Sequence, residues 1–272
     1  MRASNRIAEL GVGIFDRNDR RKEAYRLASI SQELPSLVDL SLGSSDLSPP
    51  LVVLEAIEDA LKVPSSSSYC LHAATRPFRE AAAAWCYKRF DVEVDPDREV
   101  LLLVGSQEGL AHLPLAILDP GQRGLILDPS YPSHLGGLVL ANAKVERIRL
   151  SPYKDWRPDF SALSNSQWDQ LSMFTFGFPH NPTAKVGDQA LLNEAMAYGM
   201  RHKVVVLHDN PYVDLALEGE SPVLLHAQGW RECGIEFFSF SKGWCMGGFR
   251  MAFAVGAQPL ITALKKIKGV VD

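Results

Sequence analysis

The sequence has few cysteines, no block of like charge and no long apolar run, and each absence removes a class of function. Its four cysteines, Cys70, Cys86, Cys233 and Cys245, form no C-x-x-C pair and stand beside no histidine cluster at zinc-ligand spacing. They read as plain buried or tolerated thiols in a reducing cytosol, and no metal site is expected. Net charge is −4 over 272 residues, with no run of five or six like charges, which argues against nucleic acid or an anionic membrane as partner. No stretch approaches the ~20 apolar residues that a membrane span needs. Met1 to Leu10 carries Arg2, Arg6 and Glu9 but no apolar segment, so it is not a signal peptide, and a cytoplasmic chain is expected. Two catalytic signatures are missing as well. No strand-like run leads into G-x-G-x-x-G, since Gly11-Val12-Gly13 lacks the third glycine and a preceding strand, and no G-x-S-x-G occurs. A nicotinamide oxidoreductase and a nucleophile-elbow hydrolase are thereby set aside.

What is present is an ordinary globular balance, 46% hydrophobic and 22% charged residues. A chain of this length buries roughly 70–75% of its unfolded surface, so its core needs no disulfide or metal staple. Through about residue 62 the pattern gives a helix, a short apolar run at Val38–Leu42, a break at Pro49-Pro50 and a helix on Leu54, Ile57, Ala60 and Leu61. Ser65–Ser68 reads as a loop, and Phe78–Phe90 as a helix. From Val100 onward short apolar runs alternate with amphipathic stretches. The strand candidates are Val100–Val104, Leu125–Leu127, Val145–Leu150, Met173–Phe176, Val204–Leu207, Phe237–Phe240 and Met251–Val255. Helix candidates Glu108–Leu118, Pro132–Ala141 and Gln189–Arg201 lie between them, and Gln258–Lys268 follows. Such alternation predicts an α/β fold with a mainly parallel sheet covered on both faces.

Open α/β sheets bind ligands outside the carboxyl ends of their strands. The segments just after the predicted strands are polar: Gly105-Ser106-Gln107-Glu108, Asp128-Pro129-Ser130-Tyr131, Pro179-His180-Asn181-Pro182, Asp209-Asn210-Pro211-Tyr212 and Ser241-Lys242. Gly105-Ser106-Gln107 opens a helix and suits a phosphate, although taken alone it reads first as an ordinary strand-to-helix turn with Ser106 as N-cap. Arg250 can clamp the same anion, or form a surface ion pair. Lys242, partly desolvated near a cation, would have a lowered pKa and a nucleophilic amine; alone it is a solvated loop lysine. Asp209 at a buried strand end needs a partner such as a protonated ring nitrogen, or makes an Asx-turn with Asn210-Pro211. Tyr131 can stack on a planar ring or pack on the sheet edge, and Asn181 and Tyr212 can donate to a phenolate. His208 reads as a core or interface histidine, and His180 is given no role. Together these groups describe a site for pyridoxal phosphate.

At this point the motifs resemble those of the class I/II, fold-type I aminotransferases, from about Leu37 to the end of the chain. Ser239-Phe240-Ser241-Lys242 with Gly248-Phe249-Arg250 is similar to the family's lysine signature, and Asn181-Pro182-Thr183 to its Asn-Pro-Thr loop. Asp209 with Tyr212, Tyr131, and Gly105-Ser106-Gln107 with Ser239 match the pyridinium partner, the stacking ring and the phosphate loop. Leu42-Gly43 looks like the substrate-proximal glycine segment, which with Asn181 would meet the substrate. Tyr69 resembles a tyrosine that reaches the phosphate of the neighbouring subunit, implying a homodimer with composite sites. Departures are mild: Ala184 after Asn-Pro-Thr, Ala74 after Tyr69, and Gly247.

The resemblance implies the large domain of the fold-type I pyridoxal-phosphate transferases, nearest the aspartate and LL-diaminopimelate branch. Residues 1–62 would be an N-terminal segment, part of the small domain and dimer arm. Residues 63–272 would be the cofactor-binding large domain, with the C-terminal remainder of the small domain absent. It also implies ping-pong transfer of an amino group from an L-amino acid to a 2-oxo acid. Lys242 would hold the cofactor's aldehyde and then move the substrate's Cα proton. Lyase or synthase chemistry on the same fold, or a truncated homologue that binds the cofactor without turnover, remain alternatives.

Overall fold

The computed structural model describes residues 4–32 and 34–271. Met1–Ala3, which open the expected N-terminal segment, and Asp272, which ends the expected large domain, lie outside them. The chain divides into two compact units, residues 1–46 and 47–272.

The first unit holds helices α1 (Asn5–Leu10) and α2 (Ile14–Gln32). Its strand-like run Val38–Leu42 forms no strand and bends at Ser41, pairing with no strand among the described residues. Lys22 ties α2 to the following segment through an ion pair to Asp39 at 3.0 Å. The Ser41 hydroxyl and amide, with Lys22, hold the Asp39 carboxyl below the usual carboxylate range.

The second unit begins with α3 (Leu51–Leu61) and α4 (Arg76–Phe90) and continues as alternating strands and helices. The strands are β1 (Val100–Leu103), β2 (Arg123–Asp128), β3 (Lys144–Arg149), β4 (Leu171–Phe176), β5 (Val205–Asn210), β6 (Gly234–Ser239) and β7 (Ala252–Gly256). Between and after them run α5 (Ser106–Ile117), α6 (Pro132–Leu140), α7 (Asn165–Trp168), α8 (Gln189–His202), α9 (Trp230–Cys233) and α10 (Gln258–Val271). Among the described residues seven strands form one sheet in the order β1-β7-β6-β5-β4-β2-β3. β3, β2, β4, β5 and β6 are parallel neighbours, while β7 runs antiparallel to both β6 and β1. The sheet is therefore mainly parallel, and β1 regains the direction of β6.

Both faces are covered, as the unbroken apolar runs require. Ile126, Leu207 and Phe237 point into a core shared with Leu110 and Leu113 of α5, Leu138 of α6 and Leu264 of α10. Their neighbours Leu125, Leu127 and Val206 point the other way, toward Phe160, Trp168 and α8. Helices α5 and α6 approach so closely that a Cβ at Gly137 would meet the Leu110 carbonyl, which only glycine avoids. Against α10, Glu108 of α5 accepts from Lys268 at 2.8 and 2.9 Å and also from the Val104 amide at 2.7 Å.

The strand bounds differ from the predicted spans by one to three residues, and at β6 the reason is physical. β6 starts at Gly234 rather than Phe237, because Glu236, a charged type, sits within it fully buried. Helix α5 likewise starts at Ser106, two residues before its predicted first residue, with Gly105 and not Ser106 as N-cap.

Candidate functional site

Because β1, β2, β4, β5 and β6 share one direction, their carboxyl ends and the polar segments that follow reach one edge of the sheet. β7 is reversed, so the residue just before it, Arg250, stands at that edge too. Gly105 adopts φ +75°, and a Cβ there would lie 2.8 Å from Arg250 Cζ. The guanidinium is thus laid directly over the glycine that opens α5, held by a 3.0 Å bond from Nη1 to the Gly247 carbonyl. The first amides of α5, on Ser106 and Gln107, have no intrahelical acceptors by helix geometry, and the helix N-terminus is positive. Gly105, Ser106, Gln107 and Arg250 together make a cationic, donor-rich cradle for an anion.

Ser239 ends β6 and its Oγ accepts from the Ser241 amide at 3.1 Å. The loop that follows closes on itself: the Cys245 amide bonds the Lys242 carbonyl and the Met246 amide the Phe240 carbonyl, each at 3.2 Å. Lys242 is half-buried on this loop, and burial lowers its amine below the ordinary lysine value. Its Nζ lies 5.8 Å from the centre of the Tyr212 ring.

Tyr212 in turn accepts from Asn181 Nδ2 at 3.3 Å. Burial raises its phenol above the ordinary value, with Asp209 and Tyr131 adding to the shift and Asn181 opposing it. Lys242, Asn181, Asp209 and Tyr131 thus all act on Tyr212, from the ends of β6, β4, β5 and β2. Asp209, 5% exposed, makes no Asx-turn of the predicted kind; its Oδ2 faces His134 Nε2 at 3.3 Å, and its buried Oδ1 has no hydrogen-bond partner among the described residues. A buried carboxylate oxygen left so is costly unless a donor meets it. Tyr131, the N-cap of α6, packs edge-on to His134 with ring centres 5.9 Å apart.

His180 is buried beside this group, its Nδ1 2.8 Å from Thr183 Oγ1. Burial, reinforced by the neighbouring His134, lowers its imidazole to about 4. His208, fully buried, belongs to the opposite face of the sheet, as the expected core histidine would. Two candidate residues remain, Tyr69 and Gly43. Tyr69 is 95% exposed. Gly43 belongs to the first unit, and a Cβ there would meet nothing within 4 Å. Sequence reasoning missed His134. Its one available signal was its place a helical turn after Tyr131, which sets both side chains on one side of α6. Among the described residues no group of three or more His, Cys, Asp or Glu could hold a metal, and no helix is long and apolar enough to cross a membrane.

Comparison with known proteins gives concordant matches. The sequence model of the family described as aminotransferase class I and II matches residues 35–271. An LL-diaminopimelate aminotransferase of Maridesulfovibrio salexigens is 34% identical over 99% of this chain and 69% of its own length. Glutamate-pyruvate aminotransferase AlaC of Escherichia coli is 34% identical over 87% of this chain and 58% of its own. Among solved structures, a probable N-succinyldiaminopimelate aminotransferase from Thermus thermophilus superposes with a TM-score of 0.87 at 39% identity, covering 92% of this chain and 67% of that one. The substrate-bound BacF structure from Bacillus subtilis gives a TM-score of 0.91 at 27% identity, over 100% of this chain and 68% of that one. This chain thus spans between 58% and 69% of the lengths of these four.

Proposed function

The chain belongs to the class I and II aminotransferase family, and on that premise we propose that it transfers amino groups between an L-amino acid and a 2-oxo acid with pyridoxal phosphate held on Lys242. The observation that carries the reading is the buried Asp209 Oδ1, without a hydrogen-bond partner among the described residues, at the same sheet edge as the Gly105–Arg250 cradle and the Lys242 amine. One end of the site lacks a donor and the other offers an excess of them. A ring with a protonated nitrogen at one end and a phosphate at the other fits both.

Bound pyridoxal phosphate would supply an aldehyde to accept the amino group and a ring to draw electrons from the substrate's Cα. The chain's own residues would do the rest. Asp209 Oδ1 would accept the ring N–H and keep the proton there, with His134 steadying Oδ2. Tyr212 accepts its hydrogen bond from Asn181, so its own O–H remains to donate to the phenolic oxygen, as would Asn181. Tyr131 would cover one ring face. The amides of Gly105, Ser106 and Gln107, the Ser239 hydroxyl and Arg250 would hold the phosphate, and Lys242 Nζ would take and return the Cα proton. Asn181 would also meet the substrate.

We assign residues 63–272 as the cofactor-binding domain and 1–62 as an arm toward a second copy, in a homodimer where Tyr69 reaches the partner's phosphate. The exposed apolar side chains of Ile30 (82%) and Leu40 (90%) and the projecting Tyr69 support that assembly. A cytoplasmic setting fits cysteines that form no disulfide among the described residues; burial raises the Cys86 thiol to about 12 and the Cys233 thiol to about 11. The decisive experiment is the absorbance of the purified chain with added cofactor, before and after a panel of amino acids. Lys242→Ala should abolish both the lysine-bound absorbance and turnover. A variant retaining either sinks the assignment, and ammonia release in place of amino transfer would mark lyase chemistry instead.

A further inference from the structure

Behind Asp209, on the opposite face of the sheet, lies a polar cluster that the reaction does not call on. Glu236 and His208 are register partners on β6 and β5, and both are fully buried, as is Asn210. A charged side chain at zero exposure must be matched group by group or it destabilises the fold. Here four donors converge on it. His208 Nδ1 (2.8 Å) and Asn210 Nδ2 (2.9 Å) donate to Oε1, and the amides of Leu224 (2.9 Å) and Leu225 (3.3 Å) donate to Oε2. Asn210 also reaches the Pro222 carbonyl at 3.2 Å.

The fifth contact gives the cluster its direction. His208 Nε2 lies 3.1 Å from the amide of Phe178 and accepts its hydrogen bond. A backbone N–H can only donate, so the imidazole carries its proton on Nδ1, where Glu236 receives it. Glu236 thereby fixes the tautomer, and the tautomer fixes Phe178. Phe178 lies two residues beyond the end of β4 and leads directly into His180 and Asn181. On the other side, the bonds to Pro222, Leu224 and Leu225 anchor the far end of the loop that starts at Pro211 and carries Tyr212.

We propose that His208 is a positioning residue for the cofactor site: polarised by Glu236, it holds the Phe178 amide and so sets where Asn181 stands relative to Asp209 and Tyr212. The cofactor part of this proposal rests on the function argued above; the backbone part does not. The two ring nitrogens have separate tasks, and substitutions can keep one at a time. His208→Asn retains a short amide for Glu236 and cannot reach Phe178. His208→Gln extends a carbonyl oxygen to where Nε2 accepts from Phe178.

The test measures amide hydrogen exchange in residues 176–184 of the cofactor-free chain, pyridoxal phosphate affinity, and the thermal midpoint, for wild type and both variants. In wild type the Phe178 amide, although outside the strand, should exchange as slowly as that of Phe176. In H208N exchange from 178 to 184 should rise and cofactor affinity should fall about tenfold, the loss expected for one buried hydrogen bond. H208Q should keep both within about threefold of wild type, whatever its midpoint. Fast exchange of Phe178 in wild type overturns the proposal without any variant. So does equal impairment of H208N and H208Q, or an affinity loss that simply follows the midpoint. If wild type binds no cofactor, the functional reading fails while the exchange measurements still decide the role of His208.

Discussion

At the scale of single residues, the site stores two measurable tensions. His180 titrates near 6.5 in an unfolded chain but at about 4 when buried, so the unfolded state binds its proton first as pH falls. Stability therefore rises with pH across that window and is lost on acidification from about 6.5 to about 4. His180→Asn should flatten this part of the profile. The check is the difference in thermal midpoint between the two proteins at each pH, with roughly 2–4 °C per kcal/mol expected at this chain length; parallel profiles would reject it. The second tension is conformational. Ala184 closes the turn with a 2.7 Å bond from its amide to the His180 carbonyl, at φ +58°, where a β-carbon is disfavoured. Ala184→Gly should raise stability by about 0.5–1 kcal/mol, read from the denaturant midpoint, because relief of strain exceeds glycine's added unfolded-state entropy. A loss of stability would show that the turn tolerates alanine without cost.

Among elements, the join of α5 to α10 is the most exposed to a single change. Glu108 gathers Lys268, the Val104 amide and His112 Nδ1, the last at 3.1 Å, on a side chain only 10% exposed. Glu108→Ala strands several donors at once and should cost about 2–4 kcal/mol in equilibrium unfolding, whereas Glu108→Gln keeps an acceptor and should cost less. Equal costs would mean that charge, and not hydrogen bonding, holds the join. This level also separates what the sequence displays from what it hides. Runs such as Val204–Leu207 and Met173–Phe176 stand out because a strand covered on both faces must be apolar almost throughout. Glu236 interrupts that signal, since its burial depends on His208 and Asn210 one strand away, and no local pattern encodes such a partner. His134 is hidden for the same reason: its acceptor, Asp209, is 75 residues distant.

For the whole molecule, the polar segments after the strands do reach a common edge, as their sequence pattern implies, because strand direction follows once helices connect parallel neighbours. The reversal of β7 carried no such signal, and it alone explains why Arg250, which precedes its strand, joins residues that follow theirs. The exposed apolar residues of the first unit and Tyr69 lead to a prediction at this scale. Sedimentation of the chain with pyridoxal phosphate at micromolar concentration should give twice the monomer mass, and a monomer that binds cofactor with undiminished affinity would refute composite sites.

The place of β7 also bears on the order in which the protein can be made. It is the last strand in the sequence, yet it sits between β6 and β1, the first. While the chain is being synthesised, β1 has no edge to join, and Gly105 waits for Arg250, 145 positions later in the sequence. Closing so long a loop is entropically slow, and contacts of this separation dominate folding times. Anion affinity at the cradle is then a late event in biogenesis, and a nascent chain halted before residue 250 would have built most of the sheet without it.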